Sequence, residues 1–161
     1  LSARGTIIAS TDVDAMVSPN WVGRIAGHFR RAPGLGAVYG PVYWADGRPF
    51  EQWVLRCPVS WGLAASNKVG RSLWWGSNFA VRKDVFLEVG GFSTDFGSGE
   101  DTDLSLKVSC GATVRFDSDL VVFASSRRMQ EGYWHLTHST ANHLVSRFLL
   151  RRPPGPITDI R

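Results

Sequence analysis

The chain has 161 residues, of which 43% are hydrophobic and 20% charged; this is the make-up of a folded domain with a sizeable core, and it excludes disorder. The first 124 residues carry twelve basic and twelve acidic side chains, so the net charge of +4 lies wholly in the last 37, which excludes a broadly basic nucleic-acid binder and points the C-terminal end toward an anionic partner, a diphosphate or an anionic lipid surface. Cys57 and Cys110 stand far apart, and there is no signal-peptide pattern, no Asn-x-Ser/Thr sequon and no apolar run near the length of a membrane span, which excludes a disulfide framework and a zinc ribbon and fits a cytoplasmic, reducing compartment.

The predicted elements begin with Thr6-Ile7-Ile8-Ala9-Ser10, an apolar, β-branched run that reads as a buried strand. It ends in Thr11-Asp12-Val13-Asp14. Two carboxylates one residue apart are costly unless a cation offsets them. Mg2+ or Mn2+ suits such oxygen donors and also takes oxygens from a substrate phosphate. A solvated turn carrying two Asp is an equally ready account of the pair. A helix follows, with Ser18 as its cap, Pro19 in its first turn, and Trp21, Val22, Ile25 and Phe29 on one face; His28 reads as part of that helix surface. Pro33-Gly34 stops it. Ala37–Trp44 reads as the next strand, and Asp46-Gly47 as a turn.

Residues 50–67 are interrupted by Pro58 and Gly62 and read as two short helical pieces or a loop. Phe79–Val81 reads as a strand, Lys83–Val89 as a short helix closed by Gly90-Gly91, and Glu100-Asp101-Thr102-Asp103 as the start of a helix running to about Cys110. Carboxylates favour a helix start, but three in four positions exceed what capping needs. Ala112–Phe116 and Leu120–Phe123 read as strands, and Glu131–Leu150 as an amphipathic helix with a basic end suited to a membrane surface or to packing on its own domain. His135 and His138 sit there at a spacing that shares a face. Alternating strands and helices predict an α/β class with a mostly parallel sheet.

Taken in order, Thr11-Asp12-Val13-Asp14, Gly76-Ser77-Asn78-Phe79-Ala80-Val81-Arg82, Gly90-Gly91-Phe92, Gly99-Glu100-Asp101-Thr102-Asp103-Leu104 and Ser126-Arg127-Arg128 resemble the family 2 glycosyltransferases of the GT-A fold. The resemblance spans roughly residues 5–130. It implies a Rossmann-like mixed sheet flanked by helices and an inverting transfer of sugar from a nucleotide-diphosphate donor to an acceptor hydroxyl, in polysaccharide, lipid-linked or small-molecule glycoside synthesis. By the same resemblance Asp14 binds Mg2+ or Mn2+, with Asp12 at the ribose or the metal. Asp101 is the base, and Glu100 orients it or touches the acceptor. Gly76, Ser77 and Asn78 line the donor-sugar and acceptor pocket, and Arg127 and Arg128 meet the diphosphate. Trp61, Trp74 and Trp75 are candidates to stack on a sugar ring.

Family members carry further strands before the Asp-x-Asp segment, so the resemblance implies the C-terminal portion of a catalytic domain over residues 1–130, an amphipathic helix over 131–152, and a tail over 153–161. The basic C-terminal helix leans toward a lipid-linked acceptor and the inner face of a membrane. Two other readings stand beside this one. A haloacid-dehalogenase-like Mg-dependent phosphohydrolase would use Asp12 as nucleophile and Asp14 as acid/base. A non-catalytic remnant would keep the motifs without turnover.

Overall fold

The computed structural model describes residues 3–93 and 99–125. In chain order these form β1 (Ile7–Ser10), β2 (Met16–Val17), α1 (Trp21–Arg31), β3 (Leu35–Tyr39), β4 (Val42–Trp44), α2 (Pro49–Val54), a π-helical turn (Leu55–Val59), α3 (Ser60–Lys68), β5 (Phe79–Arg82), α4 (Lys83–Glu88), α5 (Glu100–Gly111), β6 (Thr113–Phe116) and β7 (Val122–Ala124). The expected helix over 131–152, with His135 and His138, and Arg127 and Arg128 lie outside the described residues.

The main sheet has the order β1-β5-β3-β6, and a smaller one the order β2-β7-β4. Both are mixed. β5 runs antiparallel to both its neighbours, whereas β3 and β6 are parallel. The expectation of a mostly parallel sheet is therefore corrected. Periodicity reports what each element is, but not the sheet end at which a connection returns the chain. The segment between β3 and β5 leaves and returns at the same end, so β5 must run backwards.

The core has two sides because β3 alternates. Val38 packs with Trp21, Ile25 and Phe29 of α1 on one side. Ala37 and Tyr39 face the other, with Leu63 of α3, Phe86 of α4, and Leu104 and Val108 of α5. Strand residues two apart share a face, so one fully buried strand serves both layers. Trp74 is 2% exposed and stacks on Phe79 at 5.3 Å. It is a core residue, which leaves Trp61 and the half-buried Trp75 as the accessible rings of the three candidates.

Three boundaries differ from expectation. α1 begins at Trp21 with Asn20 as its cap residue, and no side chain caps it; Ser18 contributes its carbonyl to the Trp21 N–H at 2.9 Å instead. The run 37–44 breaks at Gly40-Pro41 into strands of two different sheets. A Cβ at Gly40 would collide with the Leu120 carbonyl oxygen, and Pro41 has no N–H to give a ladder. Residues 49–68 are helical throughout, with Pro58 accommodated in the π turn, where the regular i→i−4 ladder is already interrupted. Among the described residues no helix is long and apolar enough to cross a membrane.

Candidate active site

The strand registers place one set of loops together. Ser10 at the end of β1 and Tyr39 at the end of β3 both pair with Phe79 at the start of β5. Tyr39 also pairs with Phe116 at the end of β6. The carboxyl ends of β1, β3 and β6 and the amino end of β5 thus share one end of the sheet. The loops carrying Asp12 and Asp14, Gly76–Asn78 and Asp117–Leu120 leave from there. The crevice outside such strand ends is where open α/β sheets bind ligands.

Asp101 reaches this end from α5. The helix runs into β6 at the far end of the sheet, so its first turn lies at the loop end. Gly99, in the left-handed conformation at φ 80°, turns the chain into it. The Gly76 N–H donates to Asp101 Oδ2 at 2.8 Å, and the Thr102 N–H donates to Oδ1 at 2.7 Å. Burial pushes the Asp101 carboxyl above the ordinary aspartate range; the two N–H groups pull it back, and the charge of neighbouring Glu100 pushes it up again. The result is a carboxylate fixed at both oxygens and more basic than an exposed one.

Glu100 is exposed in the same helical turn. Asp103 faces inward and pairs with Lys107 Nζ at 2.7 Å, one turn along α5. The cluster of three carboxylates therefore divides: one is held at the loop end, one is exposed, and one is taken into the helix packing.

Asn78 is 0% exposed. Its Oδ1 accepts from Trp21 Nε1 at 2.9 Å, and its Nδ2 donates to the carbonyls of Pro41 and Leu120 at 2.8 and 2.6 Å. The amide is spent on protein partners, tying α1, the β3–β4 break and the loop before β7 into one wall. Ser77 is buried beside it and Gly76 is half-buried. A Cβ on Gly76 would meet Asp101 at 3.5 Å, an ordinary contact.

Asp12 and Asp14 are exposed on a turn closed by the Ala15 N–H to the Asp12 carbonyl at 3.2 Å. Among the described residues no three His, Cys, Asp or Glu side chains form a group that could hold a metal ion. Two carboxylates on an open turn are hard oxygen donors. They suit a divalent cation that draws its remaining ligands from water and a phosphate, rather than one caged by protein alone.

A second polar cluster was not legible in the sequence. Arg24 Nε and Nη2 donate to Asp117, and Nη2 also reaches Asp119, all at 3.0–3.1 Å. The His28 ring Nε2 meets Asp117 Oδ2 at 2.7 Å. His28 had only a helix-surface signal, and nothing along the chain links it or Arg24 to a turn 89 and 93 residues away.

The sequence matches the family model described as Glycosyl transferase family group 2 over residues 7–140. It is 32% identical over 100 residues to the glucosyl-dolichyl phosphate glucuronosyltransferase of Haloferax volcanii, a match covering 58% of this chain and 31% of that one. The fold is similar to that of the mannosyltransferase PcManGT from Pyrobaculum calidifontis, solved with GDP-Man and Mn2+. The TM-score is 0.63 at 22% identity, over 96% of this chain and 42% of that chain. The chain thus spans about a third to two-fifths of the length of these relatives. With a mixed α/β fold of the GT-A type and the family model covering most of its length, this chain belongs to glycosyl transferase family group 2.

Proposed function

We propose that the chain belongs to an inverting glycosyltransferase, which moves a sugar from a nucleoside-diphosphate donor to an acceptor hydroxyl with Asp101 as the base. The observation that carries this reading is the Asp101 carboxylate, held by the Gly76 and Thr102 N–H groups at the loop end of the sheet. The acceptor oxygen attacks the anomeric carbon as the bond to the diphosphate breaks, and the hydroxyl proton passes to Asp101. A carboxylate made more basic by burial and held at both oxygens suits that transfer. Glu100, exposed beside it, orients the base or touches the acceptor. Gly76, Ser77 and Asn78 line the donor-sugar and acceptor pocket, and the Gly76 N–H sets the position of the base.

Asp14 and Asp12 would hold Mg2+ or Mn2+, which supplies charge to offset the departing diphosphate. The solved neighbour with GDP-Man and Mn2+ supports a nucleotide-sugar donor and a divalent ion. Arg127 and Arg128 are proposed to meet the same diphosphate. The relative's dolichyl-phosphate name supports a lipid-linked acceptor and hence work at a membrane; the inner face, with Arg147, Arg151 and Arg152 of the C-terminal segment as basic contacts, is proposed from the charge of that segment. Polysaccharide synthesis for the cell envelope is the wider setting such a transfer serves. Family membership leaves the haloacid-dehalogenase-type reading without support.

The test is a nucleotide-sugar screen with and without Mn2+ on the protein that carries this chain and on its Asp101→Asn variant. Metal-dependent release of nucleoside diphosphate should fall by roughly 10²–10⁴-fold in the variant while donor binding persists. Undiminished turnover would remove Asp101 from the role of base. Nucleotide binding without turnover in the parent would leave the remnant reading in its place.

A further inference from the structure

The stretch from α2 through the π turn to α3 has an outer face that the proposed chemistry does not use. Its inner side is anchored by the buried Leu55 and Leu63, and Tyr39 Oη donates to the Leu63 carbonyl at 2.8 Å. Outside, Phe50, Trp53 and Trp61 are 71%, 57% and 72% exposed. Large aromatic rings are seldom left so open unless something covers them.

Composition of this face is one-sided. Between residues 48 and 70 the exposed charges are Arg48, Arg56 and Lys68. The remaining exposed positions are the three aromatics and Pro, Gly, Ala or Val; none is Asp, Glu, Ser, Thr, Asn or Gln. The one carboxylate of the segment, Glu51, is buried, and its Oε2 accepts the Arg48 N–H at 2.7 Å. The Phe50 and Trp53 rings stack 6.2 Å apart at 26°. Trp53 and Trp61 are eight residues apart, which in a regular helix would set them roughly 80° apart around the axis. The five-residue π turn between them advances less per residue and narrows that angle.

We propose that this face seats the protein on an anionic membrane surface. The rings of Trp53 and Trp61 lie at the headgroup boundary, where aromatic side chains with one polar edge are favoured, and the wholly apolar ring of Phe50 enters beside them. Arg48, Arg56 and Lys68 complement the anionic headgroups. The absence of exposed hydroxyl, amide and carboxylate groups argues against a sugar-binding platform, which needs them to hold the ring hydroxyls. The seat is built from residues other than the C-terminal arginines and does not depend on the transfer chemistry.

The test is cosedimentation with phosphatidylcholine vesicles, with and without phosphatidylglycerol, plus tryptophan quenching by brominated acyl chains. The chain should bind the anionic vesicles and be quenched there. Trp53→Ser with Trp61→Ser should weaken binding about tenfold or more, and Arg56→Gln with Lys68→Gln should weaken it on anionic vesicles alone. Circular dichroism checks that both variants stay folded, as exposed positions allow. Binding that survives both double variants but is lost in Arg147→Gln, Arg151→Gln and Arg152→Gln would overturn the proposal. So would absent quenching, or a doubled mass in solution, which assigns the face to contact between two copies.

Discussion

Gly76 gives its backbone N–H to Asp101 Oδ2 at 2.8 Å, across 25 residues of chain. The loop that opens β5 and the first turn of α5 are thereby locked together, and the basicity of Asp101 depends on a group that no side-chain pattern reports. Replacing Gly76 by Pro deletes that donor. Asp101 then loses one of the interactions that lower its pKa, so its pKa should rise further. Since the base must be ionised, the fall of kcat/KM toward acid should begin at a higher pH in the Pro variant. Gly76→Ala keeps the N–H and adds a Cβ at ordinary contact distance, so its pH profile should match the parent. Coincident profiles for the Pro variant and the parent would remove Asp101 from the rate-controlling ionisation.

Asn78 is predicted to matter first for stability. Asn78→Leu keeps the volume but leaves the Trp21 Nε1–H and the carbonyls of Pro41 and Leu120 without their partner. Unmade buried hydrogen bonds of this kind should lower the unfolding free energy by about 3 kcal/mol. Denaturant titration measures this, and a change below about 1 kcal/mol would mean that water replaces the amide.

Asp117 should make the fold acid-sensitive. Burial alone would raise its carboxyl, but the hydrogen bonds from Arg24 and His28 outweigh burial and hold it below the ordinary range. A carboxyl whose folded pKa is depressed adds stability above its unfolded pKa, near 4, and that contribution is lost as the pH falls through the folded value. Asp117→Asn should therefore cost about 2 kcal/mol at neutral pH and flatten the acid side of the stability curve. Unfolding midpoints measured from neutral pH down to acid check both halves of this.

Asp14→Asn replaces one of the two carboxylates on the turn after β1 by a neutral, weaker oxygen donor. Calorimetry of Mn2+ with a nucleoside diphosphate should then show binding weakened by about tenfold or more, with nucleotide affinity in the absence of metal unchanged. Equal affinities with metal present would move the cation away from this turn.

Much of the architecture was legible along the chain. The β-branched run at residues 6–10, the 3.6-residue spacing of Trp21, Ile25 and Phe29, and the paired Gly90-Gly91 each act within a few residues of themselves. Local forces suffice for such elements, so they form where the pattern puts them. The motif order, from Asp12-Val13-Asp14 through Gly76-Ser77-Asn78 to Glu100-Asp101, was equally readable and led to the family. The continuous helix over 49–68 was not, because Pro58 normally breaks a helix, and here it sits in a π turn flanked by the buried Leu55 and Leu63.

What the residues determined by themselves is which chemical groups are present and which elements carry them. Three carboxylates at the head of α5 look alike in one dimension. Tertiary structure decided that Asp101 is held by Gly76, that Asp103 turns inward to Lys107, and that Glu100 stays exposed. It also decided that Asn78 spends its amide on Trp21, Pro41 and Leu120, and that Asp117 joins Arg24 and His28. The physical reason is common to all of these: a side chain's pKa and hydrogen-bond partners are set by burial and by groups brought near from distant parts of the chain, and strand direction, which brings them there, leaves no trace in periodicity.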